Sequence, residues 1–124
     1  MGRPISILTS LKNQYSNATT TICHSGSSDI FKYTKLADVV ILAIGFPEFL
    51  KSEHIKNGAV IIDVGINKIE NDNGKSKLVG DADFNSLINK VKAITPVPGG
   101  VGPMTIAMLV ENTVEAAERT LQSI

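Results

Sequence analysis

The segment from residue 95 to residue 105 carries the pattern best suited to binding a ligand. Prolines stiffen its beginning and glycines open its backbone: Pro96, Pro98, Gly99, Gly100 and Gly102. It leads into a predicted helix, whose first amides and partial positive charge would face a phosphate, a carboxylate or a polarised carbonyl. A plain connection between a strand and a helix needs only one glycine and a cap. The pattern therefore favours a binding loop.

Three further loops rich in glycine, proline or small hydroxyls follow predicted strands, at residues 24–28, 45–47 and 65–67. The carboxyl ends of parallel strands meet at one edge of a sheet, and ligands bind there. Glycines in such loops let the backbone approach a flat ligand and leave amide donors available. We therefore expect the four loops to form one site, although the loops at 45–47 and 65–67 could also be plain turns.

His24 and Ser25 follow the first predicted strand, where a dinucleotide-binding fold places the adenosine ribose of its cofactor. In a typical NAD site an acidic residue at this position accepts a hydrogen bond from the 2′-hydroxyl of the adenosine ribose. Neither residue is acidic, and a hydroxyl beside a potentially cationic imidazole tolerates a 2′-phosphate. NADP is therefore favoured and NAD stays possible. The structural alternative is a polar loop with a helix cap at Ser28, since the run Ser27-Ser28-Asp29 could cap the short helix that follows.

Other reactive side chains indicate no chemistry of their own. Asp63 ends a predicted strand and could be a general base, but a structural carboxylate with satisfied hydrogen bonds is favoured. Cys23, Tyr33 and His54 are interpreted as structural or surface residues. Two histidines and one cysteine at scattered positions form no metal-ligand cluster. We assign no catalytic residue and no metal site within the chain.

The elements that would position these loops alternate between strands and helices. Apolar or threonine-rich runs predict strands over residues 18–23, 38–43, 59–64 and 92–95. Apolar spacings of three and four predict helices over residues 5–15, 29–35, 81–91 and 103–121, and residues 66–79 resemble a hairpin centred on 71–74. This pattern predicts one α/β domain over residues 1–124, with helices on both faces of a parallel sheet.

The beginning of the chain departs from that pattern. A nucleotide-binding unit ordinarily opens with a strand whose glycine-rich turn feeds the first helix. Here Gly2, Arg3 and Pro4 resemble the far end of such a turn, and a helix follows at once. We therefore expect a Rossmann-like, doubly wound parallel sheet that lacks its first strand, in a domain truncated at its N-terminus.

Composition narrows the class of protein. Twelve basic and twelve acidic residues give a formal net charge of zero, so neither nucleic acid nor an anionic membrane is expected as a partner. The longest apolar run, residues 39–44, is far too short to cross a bilayer. A single cysteine excludes an intrachain disulfide and fits a reducing compartment. These features predict a soluble, cytoplasmic protein.

Taken together, the loops resemble the motifs of the methylenetetrahydrofolate dehydrogenase/cyclohydrolase family. The segment at residues 96–105 resembles the family signature, and the resemblance extends from Gly2 to about Arg119. The other motifs occur in the family's order: Cys23-His24-Ser25, Ala43-Ile44-Gly45-Phe46-Pro47, Ile62-Asp63-Val64-Gly65-Ile66-Asn67 and Gly80-Asp81-Ala82-Asp83-Phe84.

The resemblance implies an NAD(P)-binding domain that works beside a folate-binding catalytic domain, in a protein that is usually a homodimer. That protein oxidises 5,10-methylenetetrahydrofolate to the methenyl form and hydrolyses it to 10-formyltetrahydrofolate, in one-carbon metabolism and purine biosynthesis. Residues implied to contact the cofactor are Ser25, Ile66 and Thr105, with His24, Gly45 and Pro47 beside them. Residues implied to line the folate side are Pro98, Gly99 and Gly102.

Three departures from the family pattern qualify this interpretation. The Gly-Arg/Ala-Ser turn that holds the cofactor phosphates should stand just before Gly2, and this sequence does not contain it. The tyrosine-and-lysine motif for proton transfer belongs to the other domain, which this sequence also does not contain. Gly26 stands where many NADP-using members carry a basic residue. We therefore expect the chain to be inactive alone. The alternatives are a subunit complemented by a separate N-terminal half, or a non-catalytic nucleotide-binding module.

Overall fold

The computed structural model describes residues 1–70 and 74–122. Its elements are, in chain order, α1 (Gly2–Ser10), α2 (Ile30–Thr34), β1 (Val39–Leu42), a 3-10 turn (Ser52–His54), β2 (Val60–Asp63), β3 (Asn67–Glu70), β4 (Ser76–Val79), α3 (Phe84–Leu87), β5 (Ala93–Ile94) and α4 (Val101–Gln122).

A three-stranded parallel sheet in the order β1-β2-β5 forms the centre of the fold. Val39 pairs with Val60 and Leu42 with Asp63, so β1 and β2 end at the same edge. β5 pairs with β2 from Ala93 onward. The sheet confirms the predicted α/β class and three of the four predicted strands.

One face of this sheet covers the core. Side chains from β1 and β2 alternate in burial along each strand, so the two strands are not buried equally on both faces as their continuous apolar runs predicted. The buried apolar residues are Val40, Leu42, Leu50, Ile55, Ala59, Ile61, Ala82 and Leu87. In the described chain α1 and α4 bury none of their residues, so neither supplies the expected helical cover.

The helices differ from the predicted ones mainly in length. α1 ends at Ser10 instead of residue 15, because Leu11 turns into extended backbone and the Asn13 side chain then accepts hydrogen bonds from the amides of Tyr15 and Ser16. α4 begins at Val101, two residues earlier than predicted. Asp29 caps α2 as expected, by accepting from the amide of Lys32.

α3 covers four residues instead of the predicted residues 81–91. The amides of Asp81 and Ala82 donate to the Asp63 carboxylate, and Ala82 forms a parallel bridge with Leu50. The backbone of Asp81 and Ala82 is therefore hydrogen-bonded at the edge of the sheet and does not join the helix. The helix begins only after Asp83, whose carboxylate accepts from the amide of Ser86.

The predicted strand over residues 18–23 is wrong. These residues form no strand, and within the described chain no backbone hydrogen bond joins residues 19–23 to another segment. Threonine-rich sequence favours extended backbone, but a strand needs a neighbour to complete its hydrogen bonds. Within the described residues, no segment forms such hydrogen bonds with residues 19–23.

The predicted hairpin is confirmed. β3 and β4 pair antiparallel, with Asn67 opposite Val79 and Glu70 opposite Ser76. The centre of the predicted turn, residues 71–73, lies outside the described residues. Among the described residues, no helix is both long enough and apolar enough to span a membrane.

Candidate functional site

Two buried carboxylates stand where the strands of the sheet end. Asp63 is the last residue of β2 and is 3% exposed, and Asp81 follows β4 and is fully buried. A buried carboxylate is costly unless hydrogen bonds satisfy it. Both are satisfied here, and their partners come from several loops.

Asp81 accepts four hydrogen bonds from two loops. The amides of Ile44, Gly45 and Phe46 donate to its carboxylate at 2.6, 3.0 and 3.1 Å. The Asn67 side-chain amide donates to it at 2.8 Å from the start of β3. Three successive backbone amides around one anion form a concave anion-binding turn. Asp81 therefore holds the loop after β1 against the loop after β2.

Asp63 binds the segment that carries Asp81. Its carboxylate accepts from the amides of Gly65, Asp81 and Ala82 at 2.9, 3.1 and 2.8 Å. Its own amide donates to the hydroxyl of Thr95, at 2.8 Å, just beyond β5. These contacts support the structural interpretation of Asp63, because its acceptor positions face backbone donors.

Gly65 and Gly80 are glycines because the two carboxylates lie against them. A Cβ atom at Gly65 would overlap the carboxylate of Asp81, and one at Gly80 would overlap that of Asp63. From the sequence, this glycine was expected to let a flat ligand approach the backbone or to form a plain turn. The structure instead explains this glycine by close packing on Asp81.

The backbone amides of the loop at residues 44–46 are not available as the sequence predicted. Its amides were expected to remain available to a ligand, but all three donate to Asp81. Gly45 keeps an open Cα face, with a φ of 75° and no atom within 4 Å of a Cβ position. A ligand at this loop would therefore meet the Cα surface of Gly45 instead of its amide.

The turn at residues 24–27 is exposed and closes on itself. The amide of His24 donates to the Ser27 hydroxyl, and the amide of Gly26 donates to His24 Nδ1 at 3.0 Å. Because Nδ1 is an acceptor, neutral His24 carries its proton on Nε2 and can donate it outward. Ser25 is exposed beside it. Among the described contacts, no hydrogen bond ties this turn to the other loops.

The proline- and glycine-rich loop reaches the carboxylate cluster through Val97, whose side chain lies against Gly80. Val97 and Pro98 are joined by a cis peptide bond, and Gly99 has a φ of 98° that favours glycine. Pro98 and Gly99 are exposed. This loop therefore stands beside the ends of β2 and β5, as the parallel sheet predicted.

Ile66, Gly102 and Thr105 are all exposed. Ile66 keeps 67% of its surface accessible, between the anchored Gly65 and Asn67. Gly102 lies in the first turn of α4, and the Thr105 hydroxyl donates back to the carbonyl of Val101 at 3.0 Å. Among the described residues, no hydrogen bond connects the start of α4 with Ile66.

Two open clefts border the cluster. One, of about 210 Å³, lies between the hairpin and the strand ends, and its lining includes Lys77, Thr95 and Val97. The other is aromatic and contains Pro47, the one predicted cofactor residue that lines either cleft. In the latter, the Phe31 ring stacks on His54 with centroids 3.6 Å apart.

Two acidic residues other than Asp63 and Asp81 have lowered pKa values. The hydrogen bond from Lys56 lowers the pKa of Asp38, which precedes β1 at the opposite end of the sheet. A hydrogen bond from its own backbone lowers the pKa of Glu53. Within the described ranges, no group of three side chains could hold a metal ion.

Sequence reasoning missed Asp81 and Asn67 as site-forming residues. Asp81 precedes Asp83, and a helix start explained both acidic residues equally well. The available signal was the pairing of each aspartate with a nearby glycine, in Asp63-Val64-Gly65 and Gly80-Asp81. In the structure each carboxylate packs against the glycine of the other pair, so the local pairing did not identify which groups would meet.

Comparison with known proteins relates this geometry to a family. The bifunctional protein FolD of Chloroherpeton thalassium is 54% identical over 123 residues, which cover 98% of this chain and 42% of that protein. FolD of Campylobacter hominis is 58% identical over 106 residues, covering 86% and 36%. The chain therefore spans about two fifths of the length of these relatives.

Solved structures agree with the sequence comparison. The bifunctional 5,10-methylenetetrahydrofolate dehydrogenase/cyclohydrolase of Thermoplasma acidophilum has a TM-score of 0.82 at 47% identity, over 95% of this chain and 40% of that one. The Trypanosoma brucei N5,N10-methylenetetrahydrofolate dehydrogenase-cyclohydrolase, solved with NADP and an inhibitor, has a TM-score of 0.76 at 39% identity, over 85% and 37%. These neighbours support the Rossmann-like class.

A family model described as tetrahydrofolate dehydrogenase/cyclohydrolase, NAD(P)-binding domain, matches residues 1–121. The sheet edge, the glycine-rich loops and the solved relatives agree with that match. The chain belongs to the tetrahydrofolate dehydrogenase/cyclohydrolase NAD(P)-binding domain family.

Proposed function

We propose that residues 1–124 form the NAD(P)-binding domain of a methylenetetrahydrofolate dehydrogenase/cyclohydrolase and bind NADP, with NAD as the alternative cofactor. The observation that carries the proposal is the convergence of the loops after β1, β2 and β5 on two buried carboxylates, at the sheet edge where dinucleotides bind. Family membership and a relative solved with NADP support it.

The exposed residues that the resemblance implies as cofactor contacts suit such a cofactor. Ser25 and the outward Nε2 of His24 offer donors to a 2′-phosphate, and the other residues of the turn at 24–27 bring no carboxylate to repel it. The exposed side chain of Ile66 offers apolar surface to a flat ring. Thr105 lies in the first turns of α4. Bound NADP would supply the acceptor for a hydride.

Gly45 and Pro47 would border the cofactor through open surface. Their loop is fixed by Asp81, and its amides are already used. Pro98, Gly99 and Gly102 would line the folate side, where exposed glycine backbone lets a flat pterin approach closely. No residue of this chain is assigned a proton-transfer role.

The whole reaction would need more than this chain supplies. We propose that the remaining three fifths of a protein like its relatives provide the folate-binding part. Together they would oxidise 5,10-methylenetetrahydrofolate to the methenyl form and hydrolyse it to 10-formyltetrahydrofolate. This would take place in a cytoplasmic homodimer that serves one-carbon metabolism and purine biosynthesis.

Calorimetric titration of the 124-residue chain with NADP and with NAD tests the cofactor proposal. We expect saturable binding of both, with the tighter binding for NADP. Ile66→Ala should weaken binding about tenfold, since it removes exposed apolar surface at the sheet edge. Ile88→Ala, at an isoleucine 45% exposed at the end of α3, is the matched control and should leave binding unchanged.

Two results would contradict the proposal. One is the lack of binding heat from either dinucleotide at millimolar concentration. The other is an equal loss in the Ile66 and Ile88 variants, which would mean that the ligand does not lie at this edge.

A further inference from the structure

Asp81 is the one described side chain that accepts hydrogen bonds from both the loop after β1 and the loop after β2. The amides of Ile44 and Gly45 donate to Oδ2 of its carboxylate, and the Phe46 amide and the Asn67 side chain both donate to Oδ1. In the proposed function these same loops carry Gly45 and Ile66. Beyond the strand pairing that ends with the bond from the Val64 amide to the Leu42 carbonyl, this one buried carboxylate joins the two loops.

The loop at residues 44–46 has few other anchors. Each of its three amides donates to Asp81, and the next backbone bond to a neighbouring segment runs from the amide of Glu48 to the carbonyl of Gly80. Its own side chains are exposed. If the carboxylate moved, this loop would be free to move with it.

The loop at residues 64–67 is held at both ends. Gly65 donates to Asp63 and packs its Cα against Asp81, and Asn67 donates to Asp81. Ile66 stands between these two anchored residues with its side chain in solvent. Its direction is therefore set by groups that themselves contact Asp81.

We propose that Asp81 is a positioning residue for the cofactor, tying the loop at residues 44–46 to Asn67 so that Gly45 and Ile66 face the ligand at a fixed separation. This rests on the proposed function. Asp81 is fully buried, so it would act through these loops and not by contact with the ligand. Preorganised surfaces bind more tightly because less motion is lost on binding.

Asn67→Ala is the variant that tests this link. It removes one donor to Asp81 from the far loop and leaves the three amides of residues 44–46 in place, whereas a change at Asp81 itself endangers folding. Asn67→Asp is the second variant, because it keeps the shape but places a carboxylate against Asp81. Lys90→Met is the matched control, because it removes a 2.7 Å hydrogen bond to the carbonyl of Ser52, and among the described hydrogen bonds neither residue bonds to the loops at 44–46 or 64–67.

Two measurements are needed, both at a temperature where every variant is fully folded. We expect NADP affinity to fall about tenfold in Asn67→Ala, and further in Asn67→Asp. Amide hydrogen exchange at Ile44, Gly45 and Phe46 should accelerate about tenfold in both variants, although their own residues are unchanged. Lys90→Met should lower the melting temperature and change neither quantity.

The outcomes separate this inference from the proposed function. Unchanged exchange at residues 44–46 in both Asn67 variants overturns the coupling, whatever the affinity. Faster exchange with unchanged NADP affinity overturns the positioning role and leaves Asp81 purely structural. If the unsubstituted chain itself binds no dinucleotide, the proposed function fails, and the exchange measurement still decides whether Asp81 couples the loops.

Discussion

Replacing Gly65 by alanine should be among the most destabilising single-methyl changes in this protein. Gly65 is buried, and the added Cβ would overlap the carboxylate of Asp81. The obstacle is a carboxylate held by four hydrogen bonds, not the free end of a flexible side chain. Either Asp81 moves and loses donors, or the backbone at Gly65 shifts.

The magnitude follows from those two costs. Forcing a methyl group into a packed site costs about 1–3 kcal/mol. Each hydrogen bond to a charged acceptor contributes about 1.5–3 kcal/mol, and solvent at the exposed loop partly replaces those lost. With two such bonds disturbed, we expect a loss of about 4 kcal/mol in the free energy of unfolding. That is a large part of the ~5–15 kcal/mol that holds a typical domain together.

Urea unfolding followed by circular dichroism measures this loss. With a slope of about 2 kcal/mol per molar, the midpoint should fall by about 2 M. Gly102→Ala is the control, because its Cβ would meet no atom within 4 Å and it lies within α4. There alanine should stabilise by up to about 1 kcal/mol. A loss below about 1 kcal/mol for Gly65→Ala would refute the packing argument, since that matches an average mutation.

Two further predictions concern charge. His24→Asp should weaken NADP binding about tenfold and leave NAD binding unchanged, because a carboxylate repels the 2′-phosphate but accepts a hydrogen bond from the 2′-hydroxyl. Calorimetric titration measures both affinities, and an equal loss of affinity for the two dinucleotides would contradict the prediction. Lys56→Met should raise the pKa of Asp38, which the Lys56 hydrogen bond lowers, as followed by carboxyl NMR titration. Because that pKa is lowered in the folded state, the pair stabilises the fold above the ordinary carboxyl pKa and ceases to do so as pH falls through the folded value. An unchanged Asp38 titration would refute the contact.

Local sequence determined the central elements of this protein. The apolar runs around Val40 and Ile61 predicted β1 and β2, and the glycine-rich loops marked the sheet edge where they end. The hairpin and the Asp29 cap were also predictable. These features depend on side chains a few residues apart, whose propensity and periodicity act locally.

Only the tertiary structure decided which groups those loops would meet. Threonine-rich residues 18–23 have strand propensity, but no described neighbour completes their hydrogen bonds, so no strand forms. Asp81 looked like part of a helix start, yet it receives the amide of Ile44, 37 residues earlier in the chain. Gly65 was expected to let a ligand approach the backbone, but its missing side chain instead makes room for the Asp81 carboxylate. Hydrogen-bond partners and close packing arise from the folded path of the chain, and no local pattern specifies them.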